Sequence, residues 1–195
     1  MTPEEKARQE IDAQLARCGW VVQTRDQINL SAARGVALCE LSFKTGVPDY
    51  TLFADAKAIG TAEAKPAGVP LAGVEEQSTK YVSGVPFGMP AWKSPLPFCC
   101  ESTGAETFFT NRLDPAARSR RVFAFHRPET LIDWVQRTMQ LAQRLRELPA
   151  LGLGNLWPAQ FEVIQNLEIS FAAGRPARPG PTPRHTLTAR DPVWS

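Results

Sequence analysis

Residues 47–65 read VPDYTLFADAKAIGTAEAK, and the organisation of the whole chain turns on how they fold. Two apolar runs, 49–54 and 59–65, flank the short connection Asp55-Ala56-Lys57, the pattern of an antiparallel hairpin. Successive side chains of a strand point to opposite faces, so Glu63 and Lys65, two apart, emerge together. Asp49, 14 residues before Glu63, can lie beside them on the neighbouring strand. Pro66 ends the second strand, because it has no N–H for the ladder.

Two carboxylates and a lysine on one patch are a minimal set for hydrolysing a phosphodiester with a divalent metal. Mg²⁺ keeps several waters and takes only one or two carboxylates, so Asp49 and Glu63 suffice as ligands. The metal polarises the phosphate and makes a water nucleophilic. A lysine beside two acids keeps its proton, so Lys65 is expected to offset developing negative charge rather than act as a base. The plainer reading is that strand ends carry Asp, Glu and Lys for solubility alone.

Outward from the hairpin, residues 3–17 read as a helix. Thr2 caps it, Pro3 suits its first turn, and Ala7, Ile11 and Leu15 form an apolar stripe. Gly19 ends it and Trp20 starts an extended stretch. Residues 36–43 read as a strand. Residues 74–82 read as a helix that places Gln77 and Tyr81 on one face, four apart. Residues 96–101 and 106–111 read as two further strands turned at Thr103-Gly104. The order to this point is αβββαββ. Helices follow over 128–148 and 157–173, the latter with an apolar stripe of Phe161, Ile164, Leu167 and Phe171. Residues 149–174 make a linker and helix, and the Pro-rich tail 175–195 reads as disordered.

Composition narrows the function classes. No run of 18 apolar residues occurs and the N-terminus is charged, so neither a membrane span nor a signal peptide is expected, and the cytoplasm is the expected compartment. Cys18, Cys39, Cys99 and Cys100 lack Cys-x-x-Cys spacing, which argues against zinc. Net charge is only +2, yet residues 101–195 hold 12 arginines and no lysine against 9 acids. Arg112, Arg118, Arg120 and Arg121 cluster within this half. They read as a solvated loop, with phosphate contact as the alternative.

The order Asp49, Glu63-x-Lys65, Gln77-x-x-x-Tyr81 resembles the PD-(D/E)XK nuclease pattern. Its surroundings resemble the N-terminal nuclease region of type I restriction enzyme R subunits. The stretches that carry this likeness are Gly19-Trp20, residues 28–31, 34–37, 73–78, 101–107 and 109–111, and Phe125-His126-Arg127-Pro128-Glu129. The resemblance covers about residues 8–175. It implies an α/β, restriction-endonuclease-like αβββαβ core with a mixed central sheet flanked by helices, spanning 1–148, with C-terminal helices after it. It implies Asp49, Glu63, Lys65, Gln77 and Tyr81 as catalytic residues and Mg²⁺ as cofactor, with Mn²⁺ able to substitute. Double-stranded DNA is the implied substrate, and methylation and specificity subunits are the implied partners.

In the family, an ATP-driven motor follows a helix like that at 157–173. No Gly-Lys-Thr or Gly-Lys-Ser phosphate loop exists in this sequence, so no ATP site is expected here, and the tail reads as a truncated end. Relatives often place a further acid on the first helix, where Glu5 and Glu10 are the candidates. The family commonly has glycine where Ala56 stands, which leaves the turn type open. A catalytically idle remnant that binds DNA or docks on other subunits is one alternative function. A free-standing repair or junction nuclease is another.

Overall fold

The computed structural model describes residues 2–68, 84–86, 88–147, 154 and 157–172. They divide into a unit of residues 1–141 and a second of residues 142–195.

The first unit opens with α1 (Pro3–Arg17), capped as its sequence predicts. The Glu5 N–H donates to Thr2 Oγ1 at 3.1 Å and the Thr2 N–H donates to Glu5 Oε2 at 2.7 Å, a reciprocal pair that satisfies two end donors. Ala7, Ile11 and Leu15 are buried, and Gly19 leaves the helix at φ 88°.

Among the described residues seven strands follow: β1 (Trp20–Gln23), β2 (Gly35–Cys39), β3 (Tyr50–Ala54), β4 (Lys57–Ala64), β5 (Phe98–Ser102), β6 (Thr107–Asn111) and β7 (Ser119–Val122). They form one mixed sheet whose spatial order equals their chain order. β1–β2 and β4–β5 are parallel, and the other four pairs are antiparallel. α2 (Pro128–Arg146) follows the sheet and runs on past residue 141. One sheet face is covered by Ile11 and Leu15 of α1 and by Leu131, Ile132 and Val135 of α2, around Trp20, Leu52 and Phe98. The opposite face gathers Val36, Leu38, Phe53 and Leu96 with Phe43. Complete burial of side chains of this size contributes roughly 1.5–3 kcal/mol each.

In the second unit, α3 (Pro158–Ala172) leaves Val163, Leu167, Ile169 and Phe171 exposed, whereas Phe161 and Ile164 are half-buried. Among the described residues no helix is long and apolar enough to cross a membrane. The helix expected over 74–82 and the disordered tail expected over 175–195 lie outside the described residues.

Two expectations need correction. The strand expected over 36–43 stops at Cys39, because Glu40 takes φ 54° and breaks the extended backbone. Residues 119–121 are not loop, since Ser119–Val122 pairs with β6 as an edge strand, whereas Arg118 stays in the connection before it. Edge strands carry charge that discourages pairing with other chains, and that charge hides their alternation from a reader of the sequence.

The hairpin turn resolves the question left by Ala56. Asp55 and Ala56 both have positive φ, 47° and 59°, as a type I′ turn requires. Alanine pays for this geometry where glycine does not. Ala56→Gly is therefore expected to stabilise the fold by roughly 0.5–1 kcal/mol, after the extra freedom glycine gives the unfolded chain is subtracted. The denaturant midpoint should rise at unchanged slope. An unchanged or lower midpoint would contradict a left-handed Ala56.

Candidate active site

The β3–β4 register pairs Tyr50 with Ala62, which sets Asp49, just before β3, opposite Glu63. Opposite residues of an antiparallel pair share a face. The Ala64 N–H donates to Asp49 Oδ2 at 2.8 Å, locking the carboxylate against β4. Lys65 Nζ lies 3.9 Å from Glu63 Oε2, and the Lys65 N–H donates to the Ser102 carbonyl at 2.8 Å. Asp49, Glu63 and Lys65 thus meet on one patch.

Neighbouring elements add groups that the sequence did not announce. Arg8 of α1 bridges two acids: Nη1 donates to Glu40 Oε1 at 2.7 Å, and Nη2 to Asp49 Oδ1. The left-handed backbone at Glu40 delivers that carboxylate to Arg8. Tyr50 Oη donates to Asp12 Oδ1 at 2.8 Å, a second tie between α1 and the strand beside Asp49. Glu101 of β5 stands level with Glu63 across the parallel pair and is buried. Glu5 and Glu10 serve elsewhere, Glu5 in the helix cap and Glu10 against Gly104. The residue that α1 brings to Asp49 is basic rather than acidic. Gln77 and Tyr81 lie outside the described residues.

Burial and then the Asp49 charge push the Glu63 carboxyl up to about 7, with Lys65 pulling the other way. Burial, then Asp12, pushes the Cys39 thiol up to about 11, which removes it as a thiolate nucleophile at neutral pH. The Glu63 shift has a signed consequence. The folded protein holds this proton more tightly than the unfolded chain, whose Glu titrates near 4.5. Stability from this group therefore falls as pH rises from about 4.5 to 7. Glu63→Gln is expected to lack that decline, so its stability relative to wild type should improve across the window. Denaturant midpoints measured in chelator over this pH range read the difference, and a constant offset would contradict the raised value.

The donor set suits a hard cation. It is all oxygen, its two acids repel, and Glu63 Oε1 is buried without a hydrogen-bond partner among the described residues. Asp49 and Glu63 would be the ligands. Among the described residues no group of three or more His, Cys, Asp or Glu is arranged to hold a metal, so the fit is to an ion that accepts two carboxylates. Arg8 competes for Asp49 Oδ1. Comparison with protein-family models, curated proteins and solved structures finds no match to this chain in any of the three.

Proposed function

We propose that this chain is a divalent-metal-dependent DNA endonuclease domain of the PD-(D/E)XK type, akin to the nuclease region of type I restriction R subunits. The observation that carries the reading is the Ala64 N–H to Asp49 Oδ2 hydrogen bond, which holds Asp49 opposite Glu63 on the hairpin that also presents Lys65. When bound, a divalent cation supplies Lewis-acid chemistry to the scissile phosphate. Asp49 and Glu63 would hold it. The Lys65 ammonium, anchored through its backbone to Ser102, stabilises charge developing on the phosphoryl oxygens. Gln77 and Tyr81 would orient Lys65 or a DNA phosphate. Reading of a DNA sequence, ATP-driven translocation and partner methylation and specificity subunits belong to the same proposal as properties of a larger assembly.

One observation favours a second reading, a catalytically idle module. Both oxygens of Asp49 already have donors, Arg8 and Ala64. Incubation of the purified chain with supercoiled plasmid separates the two. Nicking that needs Mg²⁺ or Mn²⁺ and stops with chelator supports the nuclease, and its absence at high enzyme concentration favours the idle module.

A further inference from the structure

A cleft lined by arginines and aromatic rings lies away from the acids. It encloses about 580 Å³ within the first unit, and its lining includes Phe109, Arg118, Arg120, His126, Trp134 and Arg137. That volume is typical of a small-molecule site. Register places it on the opposite side of the sheet from Glu63. Arg120 pairs with Phe109, Phe109 with Cys100, and Cys100 with Ala62, whereas Glu63 is the next residue and points the other way.

The lining has two chemistries. The first is cationic. Arg118 and Arg120, two apart in sequence at β7, are exposed and have no ion pair among the described residues. Arg137 joins them from α2, held by Asp133 at 2.8 Å. The only acid among the residues that line the cleft is Asp114, which accepts from Asn111. The second chemistry is aromatic. His126 and Trp134 are half-buried with ring centroids 4.9 Å apart, and His126 meets Phe109 edge-on at 4.4 Å. Burial lowers the basicity of His126 and favours its uncharged ring. Edge protection explains arginines on β7. It does not explain why Arg137 of a separate helix converges on them beside half-open rings.

We propose that this cleft binds a nucleoside phosphate, with the phosphate on Arg118 and Arg120 and the base against Trp134 and His126. Guanidinium groups pair with phosphate in bidentate fashion, and bases stack on aromatic side chains without regard to sequence. The same chemistry is offered by a free nucleotide and by the phosphorylated end of a single strand. The site does not depend on the nuclease reading, because it shares no residue with the acid cluster.

The test is calorimetric titration with a nucleoside 5′-monophosphate, a 5′-phosphorylated oligothymidylate and inorganic phosphate. Wild type, Arg118→Gln/Arg120→Gln and Asp49→Ala are compared. Both arginines are exposed, so the double variant keeps the fold. Saturable binding of either nucleoside ligand is expected, weakened at least about tenfold in the double variant and unchanged in Asp49→Ala. Tighter binding of the oligonucleotide identifies a strand end, and tighter binding of the mononucleotide a free nucleotide. No saturation at millimolar ligand overturns the proposal. So do equal affinity for inorganic phosphate and an affinity that the double variant leaves intact.

Discussion

Asp49→Ala and Glu63→Gln are each expected to lower Mg²⁺-dependent plasmid nicking by at least about a thousandfold, and Lys65→Ala by about a hundred- to a thousandfold. The ranking follows from position. In the proposed site each acid would supply half of an oxygen pair for the cation, and Asp49 also accepts the Ala64 N–H at 2.8 Å. Lys65 lies on the flank, 3.9 Å from Glu63, so under the proposed mechanism its loss would remove charge stabilisation but leave the ligands. Arg8→Ala should behave in the opposite sense. It frees Asp49 Oδ1 and should tighten Mn²⁺ binding in calorimetry, with nicking retained. A wild type that neither nicks DNA nor binds Mn²⁺, together with an Arg8→Ala variant that gains no binding, would overturn the metal reading. Equal activity in wild type and Asp49→Ala would place any cutting elsewhere on the chain.

Phe98→Ala should be the most damaging single change to the fold. The ring is fully buried, stacked on Phe109 at 5.7 Å and tilted against Trp134 at 6.0 Å. Its strand also lies unusually close to β4. A Cβ built on Gly60 would come within 2.7 Å of the Phe98 carbonyl oxygen, so glycine is what lets the two backbones approach. A void here cannot collapse without pulling β5 from β4. The expected loss is about 3–5 kcal/mol. For a unit of this length that lowers the melting temperature by on the order of 10 °C. Thermal unfolding followed by circular dichroism measures it, and a melting point within a degree or two of wild type would show that Phe98 is not central.

The parts of the fold legible in the sequence are those governed by local rules. The stripe Ala7, Ile11, Leu15 with its Thr2 cap gives α1 its observed bounds, while the reciprocal Glu5 bond is seen only in the structure. The hairpin 49–65 is legible because alternation and a short polar connection are both local, and so is the meeting of Asp49, Glu63 and Lys65. Features that depend on distant partners are not. Arg8 reads as one more charge on a helix, and only the docking of α1 shows that it reaches Asp49 and Glu40. Glu101 lies in a plausible strand, but its level against Glu63 depends on how a parallel pair closes. β7 is masked by its own arginines, and Glu40 gives no local sign that it leaves the extended region.

A sheet whose strands follow one another in chain order has a low topological cost of assembly along most of its width. β3 and β4 need close only a tight loop, an event on the order of microseconds. The parallel pair β4–β5 must instead bring together residues separated by the long stretch between Ala64 and Phe98, at a greater entropic penalty. The three polar groups on the hairpin would therefore find one another while water still surrounds them. The like charges of Asp49 and Glu63 would first meet under strong dielectric screening, with Lys65 beside them, and the desolvation of Glu63 would follow when β5 zips on.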